Sequence, residues 1–500
     1  MTRLLVLGTG PLIEPGMRLF SAHCLRTSHF VEPLREAGHE VRLFTLPIPA
    51  EDPATQIQAG VEERRFGAFA YVNFRNNNDA YNLERLAEAA RAFQPQALLA
   101  VNSYPCALLS RLPWQAPLWA DLNGSVVVEG QVKAAVEADD ANLGLYWAME
   151  EAALRRADKF SVVSRRQLYF LYGELAAVGR LNRFTAGYAF AHHVPNAVNP
   201  FFARQPGPTA GSERRLRGRL VPETAFITLW SGGYNTWTDL ETLLTGLERA
   251  MAACPEMHYV STGGGIRGHH EATYDRFQTR VRRSPFADRF HLLGWVEAAD
   301  LPGIYAEADL GLCIDAPNTE TTFGARNRSI NMAAAGLPVL ACEGAEISEE
   351  MLAAGVALGC RLGEPEDFAR ALIAACRDRE NLPALGAKGR AYVLEQFNAH
   401  RTVEALLAWV RSPAFAPDHA RRIESAPAGT DPFAFPMNPI EERWARQATA
   451  TPGGGHPTRN SWAGVFKRGL RTALGPAAYE RLRRLKRRRS DGSDPGAAHS

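Results

Sequence analysis

The sequence predicts an α/β protein built as two doubly wound parallel-sheet lobes, followed by a C-terminal extension. Three observations predict it. Short apolar runs alternate with longer helical patterns from residue 3 to residue 411, the signature of parallel strands joined through crossover helices. The series is interrupted once, by a stretch at 203–218 rich in Pro, Gly and Arg that reads as a linker. Finally, 500 residues exceed one ordinary domain and leave room for more than one core.

In the first lobe (1–202), RLLVLG at 3–8 reads as a buried strand entering a Gly/Pro-rich loop. Its apolar run is short, and Gly and Pro follow with no cleavage pattern, so a strand is expected rather than a secretory signal. Residues 27–37 read as a helix ending at Gly38, and EVRLFT (40–45) alternates as the next strand, completing a βαβ unit. The theme repeats through a helix at 82–93, the run ALLAVN (97–102) and the strand and loop APLWADLNG (116–124). One long helix over 128–156, enclosing Asp139 and Asp140, leads to the strand KFSVVS (159–164) and a helix at 165–177. This Rossmann-like lobe closes near HHVPNAVNPFF (192–202).

The second Rossmann-like lobe (219–391) opens with AFITLWSGG at 225–233. Its strands are expected at 226–230, 257–262, 290–293, 310–314, 338–342 and 357–361, with helices between them and a further helix at 383–395. Ligands of doubly wound sheets bind at the carboxyl ends of the strands, where the Gly-rich loops of both lobes fall. The extension (412–500) changes character. Residues 412–460 are rich in Pro, Gly and Ala and read as extended or disordered. Residues 461–489 recover periodicity and carry ten Lys/Arg against Glu480, interleaved with Trp462, Phe466 and several leucines. Such a segment suits an anionic membrane surface or is a solvated end.

Composition narrows the function. A formal net charge of +2 argues against specific nucleic-acid binding by the whole chain. The seven cysteines are scattered singly with no CxxC pair, which fits small buried hydrophobes in a reducing cytoplasm. No apolar run is long enough to span a bilayer, so the expected location is cytoplasmic, or peripheral on a membrane face. No GxGxxG follows either first strand, which disfavours a dehydrogenase.

Four segments of the second lobe carry candidate chemistry. LWSGGYNTWTD (229–239) runs a strand into Gly232 and Gly233, then Asn235, with Asp239 or Thr238 as a helix cap. Glycines there let backbone amides approach a ligand, and the helix start favours an anion. STGGGIRGHH (261–270) ends a strand in glycines, among them Gly264 and Gly265, followed by Arg267 and two histidines that are ligands or solvated loop residues. HLLGWVEAADLPGIYAEADLGLCID (291–315) reads mostly as scaffold, with Asp300 as a helix cap. ETTFGARNRSINMAAAGLPVL (320–340) brings an acidic loop to Gly324, then Arg326, Arg328 and Asn331 at a helix start, a pattern suited to a diphosphate.

On these residues the chain resembles the retaining, family-4-like glycosyltransferases of the GT-B fold (glycosyl transferases group 1), over about residues 1–411. VPNAVNPFF is similar to their IPNGVD stretch. The 311–340 segment is similar to their E-x7-E region followed by EAMAAGLPV, and CEGAEISEEMLAAGVALGCRLGEPEDFARAL (342–372) to the segment after it. YVLEQFNAHRTVEALLAWV (392–410) suits their final helix, which crosses back over the first lobe. The resemblance implies a nucleotide-sugar substrate, no cofactor, and a glycan or lipid-linked acceptor in cell-envelope polysaccharide or glycoconjugate synthesis.

There are departures. The family's second Glu, which contacts the donor ribose, aligns with Asn331, and Glu320 is the nearest acid to the first. The family's diphosphate-gripping Arg and Lys align with Gly233 and Thr238, so Arg326 and Arg328, joined by Arg267, are inferred to supply that charge. The resulting expectation is a catalytic set of Glu320, Arg328 and Asn331, working without a metal because no DxD-type pair lies in a strand-end loop. An acceptor is expected on the first lobe near Arg18, His23, Arg26, Asp121 and Asn123, the last two standing where the family often has a His. A catalytically inactive nucleotide-sugar-binding protein is the alternative. An epimerase on the same two-lobed fold needs an acid/base pair that the sequence does not offer.

Overall fold

The computed structural model describes residues 1–12, 21–47, 59–204, 214–265 and 270–424. The first sheet contains β1 (Arg3–Gly10), β2 (Glu40–Pro47), β3 (Val61–Phe66), β4 (Phe69–Phe74), β5 (Ala97–Val101), β6 (Leu118–Asn123), β7 (Lys159–Val162) and β8 (Ala191–His193). Their order is β3-β4-β2-β1-β5-β6-β7-β8, parallel except for the β3–β4 edge hairpin. The second sheet contains β9 (Phe226–Trp230), β10 (Met257–Ser261), β11 (Phe290–Leu292), β12 (Leu310–Cys313), β13 (Val339–Cys342) and β14 (Leu358–Cys360). It is wholly parallel, in the order β11-β10-β9-β12-β13-β14.

Alternation along the strands sends side chains to two cores per lobe. In β1, Leu5 and Leu7 pack with Leu98, Leu118 and Phe160 beneath helices Asp79–Phe93 and Leu143–Arg156. Leu4 and Val6 face the other way, against Phe30, Val31 and Leu34 of helix Ala22–Glu36. The chain's return completes that second core. Val403, Leu406 and Val410, from Val403 and helix Glu404–Arg411, are fully buried in it, and Thr2 Oγ1 donates to Val410 O at 2.7 Å. In the second lobe, Phe226, Trp230 and Leu312 pack under helices Leu240–Ala253 and Pro365–Arg377, while Ile227, Leu229 and Val339 pack on the opposite side.

The structure corrects several expectations. The long helix over 128–156 is two helices, Val126–Glu137 and Leu143–Arg156, separated at a left-handed Ala138 (φ 52°). Asp139 and Asp140 therefore lie in the break, where Asp139 Oδ1 accepts from Ala141 N at 2.9 Å; short polar side chains that bond nearby backbone oppose helix continuation. Asp300 does not cap the helix that follows it; its carboxylate pairs with Arg215 at 2.6 Å. The 214–218 end of the presumed linker already belongs to the second lobe, with Leu216 buried in its core. Residues 412–424 are not an extended tail. Ala416 N donates to Asp158, and Asp418 forms a buried ion pair with Arg180 at 2.8 Å on the first lobe. The basic segment 461–489 lies outside the described residues. All seven cysteines are buried and free, and no described helix is long and apolar enough to cross a membrane.

Candidate active site

Strand order reverses between β9 and β12, and loops at such a switch point form a crevice beyond the strand ends. The loop after β9 carries Gly232 and Gly233, and the loop after β10 carries Gly263, Gly264 and Gly265. These loops meet backbone to backbone. A Cβ on Gly263 would lie 1.8 Å from Gly232 O, so only glycine fits. Gly232 itself has φ 99°. Buried hydroxyls brace both loops from below: Tyr305 Oη donates to Ser231 Oγ at 2.6 Å, and Tyr234 Oη to Ser261 Oγ at 2.9 Å. The loop after β12 is pinned beside them by Ala316 N donating to Trp237 O at 2.7 Å. Asp239 caps helix Leu240–Ala253 through Thr242 N, so the cap left open between it and Thr238 is Asp239.

Helix Asn327–Ala334 begins at this junction. Arg328, half-buried, lays its guanidinium 3.6 Å from the ring centre of buried Trp230 and donates to Gly233 O at 2.8 Å. A cation fixed over an aromatic face beside glycine loops is preorganised for an anion. Asn331, one turn further along, is half-buried, as is Asn235 in the first loop.

Arg326 does something else. It is 5% exposed, and its guanidinium donates to Asp315 Oδ2 at 2.6 Å and to both carboxylate oxygens of Glu320 at 3.0 and 2.8 Å. The expectation that it grips a diphosphate is corrected: its donors are spent on a buried ionic triad. The same bonds bind Glu320, which is 5% exposed. Gly324 lets this triad close, since a Cβ there would lie 2.2 Å from Glu320 Oε1.

On the first lobe, Arg26 and Asp121 are also corrected as acceptor contacts. They are 1% and 0% exposed and form a bidentate pair at 3.0 and 2.7 Å, with Arg26 donating further to Pro195 O and Asn196 Oδ1. His23 is exposed at the start of helix Ala22–Glu36. Asn123 ends β6 with φ 57° and donates to Asn102 Oδ1 at 3.1 Å; Asn102, directly after β5, has φ 79°. Two non-glycine residues at positive φ at adjacent strand ends mark a constrained backbone at this edge of the first lobe. Arg18 and Arg267 lie outside the described residues, as does His269. His270 is a buried helix cap, accepting from Thr273 N at 3.1 Å.

The lobes meet over helix Thr319–Phe323. Ser164 Oγ donates to Phe323 O at 2.6 Å, and Phe170 and Phe323 rings stand 5.1 Å apart. Beside this contact Glu346 accepts from Arg165 N and Arg166 N at 2.9 and 3.1 Å, the free amides at the start of helix Arg165–Ala177. Sequence reasoning missed two residues here. Trp295, read as scaffold, is 41% exposed and donates from Nε1 to Gly265 O at 2.9 Å. Glu129, from the start of helix Val126–Glu137, faces Glu320 across a crevice between the lobes. An exposed aromatic after a strand was legible in GWV; nothing local marked Glu129.

Comparisons with known proteins show the family and the fold. A glycosyl transferase 4-like domain matches residues 25–172, and a glycosyl transferases group 1 domain matches residues 225–378. No curated protein matches the chain in sequence. Among solved structures, sucrose-phosphate synthase from Thermosynechococcus elongatus superposes with TM-score 0.62 at 16% identity, over 82% of this chain and 98% of that one. A trehalose-phosphate synthase from Burkholderia vietnamiensis gives 0.59 at 13%, over 85% and 100%. Anabaena HepE in complex with UDP-glucose gives 0.54 at 15%, over 82% and 100%. With a glycosyl transferase domain on each of two parallel-sheet lobes, the chain belongs to the glycosyltransferases of the GT-B fold.

Proposed function

We propose that this glycosyltransferase moves a sugar from a nucleotide donor held by the second lobe to a hydroxyl of a glycan or lipid-linked acceptor on the first lobe. The observation that carries the reading is Arg328, fixed over Trp230 beside the Gly232–Gly233 loop. Negative charge grows on the leaving diphosphate as the glycosidic bond breaks. Arg328, the backbone amides of the two glycine loops and the start of helix Asn327–Ala334 stabilise that charge, more strongly in the transition state than before it. Asn331 contacts the ribose and Asn235 lies along the phosphates. With guanidinium and amide groups on the leaving group, the reaction runs without a metal ion, and the resemblance to retaining enzymes implies retention of configuration. Cell-envelope polysaccharide or glycoconjugate synthesis is the setting this chemistry suits. The basic segment 461–489 brings the enzyme to an anionic membrane face. Liposome binding at physiological salt, with and without residues 461–500, tests that last point; equal binding removes it.

HepE supplies the first donor to try, since its structure holds UDP-glucose. A donor present at about 100 times its Kd stabilises the protein by roughly 2.7 kcal/mol. Thermal denaturation with UDP-glucose, UDP and other nucleoside diphosphates should show this rise for one base, and Arg328→Ala should abolish it. A wild type indifferent to every diphosphate refutes the reading. The second reading, a binding protein without turnover, draws on Glu320 being held by Arg326 and on Asn331 replacing a carboxylate. Donor binding with neither transfer nor hydrolysis would favour it.

A further inference from the structure

The crevice between the lobes is lined by Gly124, Ser125 and Glu129 from the first lobe and Glu320, Phe323 and Gly324 from the second. Its two carboxyls are unlike. Both oxygens of Glu320 are taken by Arg326. Glu129 has no hydrogen-bond partner among the described residues, although it is half-buried. Its carboxyl is turned into the cleft, where a ligand hydroxyl can reach it.

The charge balance says which ligand. Two carboxylates, Asp315 and Glu320, share the one guanidinium of Arg326, while Arg328 belongs to the Trp230 side. The crevice therefore repels a phosphate and suits a neutral, hydroxylated group. We propose that Glu129 is a substrate-binding residue that hydrogen-bonds a hydroxyl of the sugar occupying this crevice, and that the crevice selects an unphosphorylated sugar there. This rests on the donor reading above and adds a first-lobe residue to it.

Burial, followed by the neighbouring charge of Glu320 and opposed by Arg326, pushes the Glu129 carboxyl up to about 8. At neutral pH it is then protonated and both donates and accepts. The groups around it are Glu320 and Arg326 across the crevice, Glu150 beneath, Lys133 one turn along its helix, and Tyr146 of the next helix.

Binding of UDP, UDP-glucose, and glucose or glucose 6-phosphate in the presence of UDP is measured by calorimetry for wild type, Glu129→Ala and Glu129→Gln, with the guanosine and adenosine donors run alongside. In Glu129→Ala the nucleoside diphosphate should bind as in wild type. If the hydroxyl is the donor's, the sugar conjugate weakens about tenfold; if it is the acceptor's, free glucose does. Wild type should prefer glucose to glucose 6-phosphate. Closing the crevice over an ionised Glu129 is costlier, so the sugar-dependent affinity of wild type should fall above pH 8, whereas that of Glu129→Gln should stay level. Unchanged sugar binding in both variants, or a preference for the phosphorylated sugar, overturns the assignment while leaving the donor reading intact. A wild type that binds no nucleoside diphosphate overturns both.

Discussion

Replacing Arg326 by alanine should unfold the second lobe more readily while leaving its diphosphate site chemically whole, and replacing Arg328 should do the reverse. Arg326→Ala strands Asp315 and Glu320, which are 3% and 5% exposed. Removing one partner of a buried ionic cluster costs about 3–5 kcal/mol, because the remaining charge stays in a poorly solvating interior. For a lobe of this size each kcal/mol moves the melting temperature by roughly 2–4 °C, so the expected fall is about 6–20 °C. Arg328→Ala loses one hydrogen bond and one cation–π contact at a half-buried position. That amounts to about 1–2 kcal/mol. Differential scanning calorimetry with and without the responsive nucleoside diphosphate separates the two effects. Arg326→Ala should melt early but still rise with ligand; Arg328→Ala should melt only about 2–8 °C below wild type and not respond. The variant Arg326→Met with Glu320→Gln and Asp315→Asn should recover much of the lost stability, since the cost lies in stranded charge. The reasoning is refuted if Arg326→Ala melts with wild type, or if Arg328→Ala keeps the full ligand response.

Other outcomes follow from particular contacts. Gly263→Ala forces a Cβ to within 1.8 Å of Gly232 O, so the two glycine loops must part; loss of the diphosphate response in a still-folded protein is expected, and an unaltered response would contradict the packing. Glu174 is buried with neither carboxylate oxygen bonded, and burial, then the charge of Glu150, pushes it up to about 9. The folded state thus keeps a proton that the unfolded chain releases near pH 4.5, so this group's contribution is full below that value and is lost as pH climbs towards 9. Urea titrations from pH 5 to 9 should show the decline, and Glu174→Gln should flatten it and gain at least about 1 kcal/mol at pH 8.5. Glu346→Ala removes the acceptor for Arg165 N and Arg166 N across the lobe junction. Small-angle scattering should then report a larger radius of gyration, and no change would show that the Ser164–Phe323 contact suffices.

Local pattern alone determined the two-lobed architecture. Alternating apolar runs become strands because a parallel sheet covered on both faces buries every residue of a short segment, as in the fully buried Phe226–Trp230 and Ala97–Val101. Hence the expected strands and helices of the second lobe fell within a residue or two of where the pattern put them, while Thr319–Phe323, read as an acidic loop, is a short helix. The edge hairpin β3–β4 was missed, because VEERRF (61–66) places four charged residues in a row and shows no apolar alternation. Helix continuation through Ala138 was misjudged because propensity says little about a single left-handed residue. The roles of the arginines could not be read from spacing at all. Arg326 and Arg328 are two residues apart on one segment, so a turn of backbone points them in different directions, one into a carboxylate pair and the other over Trp230. Arg26 and Asp121, 95 residues apart, likewise neutralise one another only once β6 lies beside helix Ala22–Glu36. Sequence determines which groups exist and roughly which element carries them. Only tertiary structure decides which charges are already spent on each other, because that depends on side-chain distances of a few ångströms between segments remote in the chain.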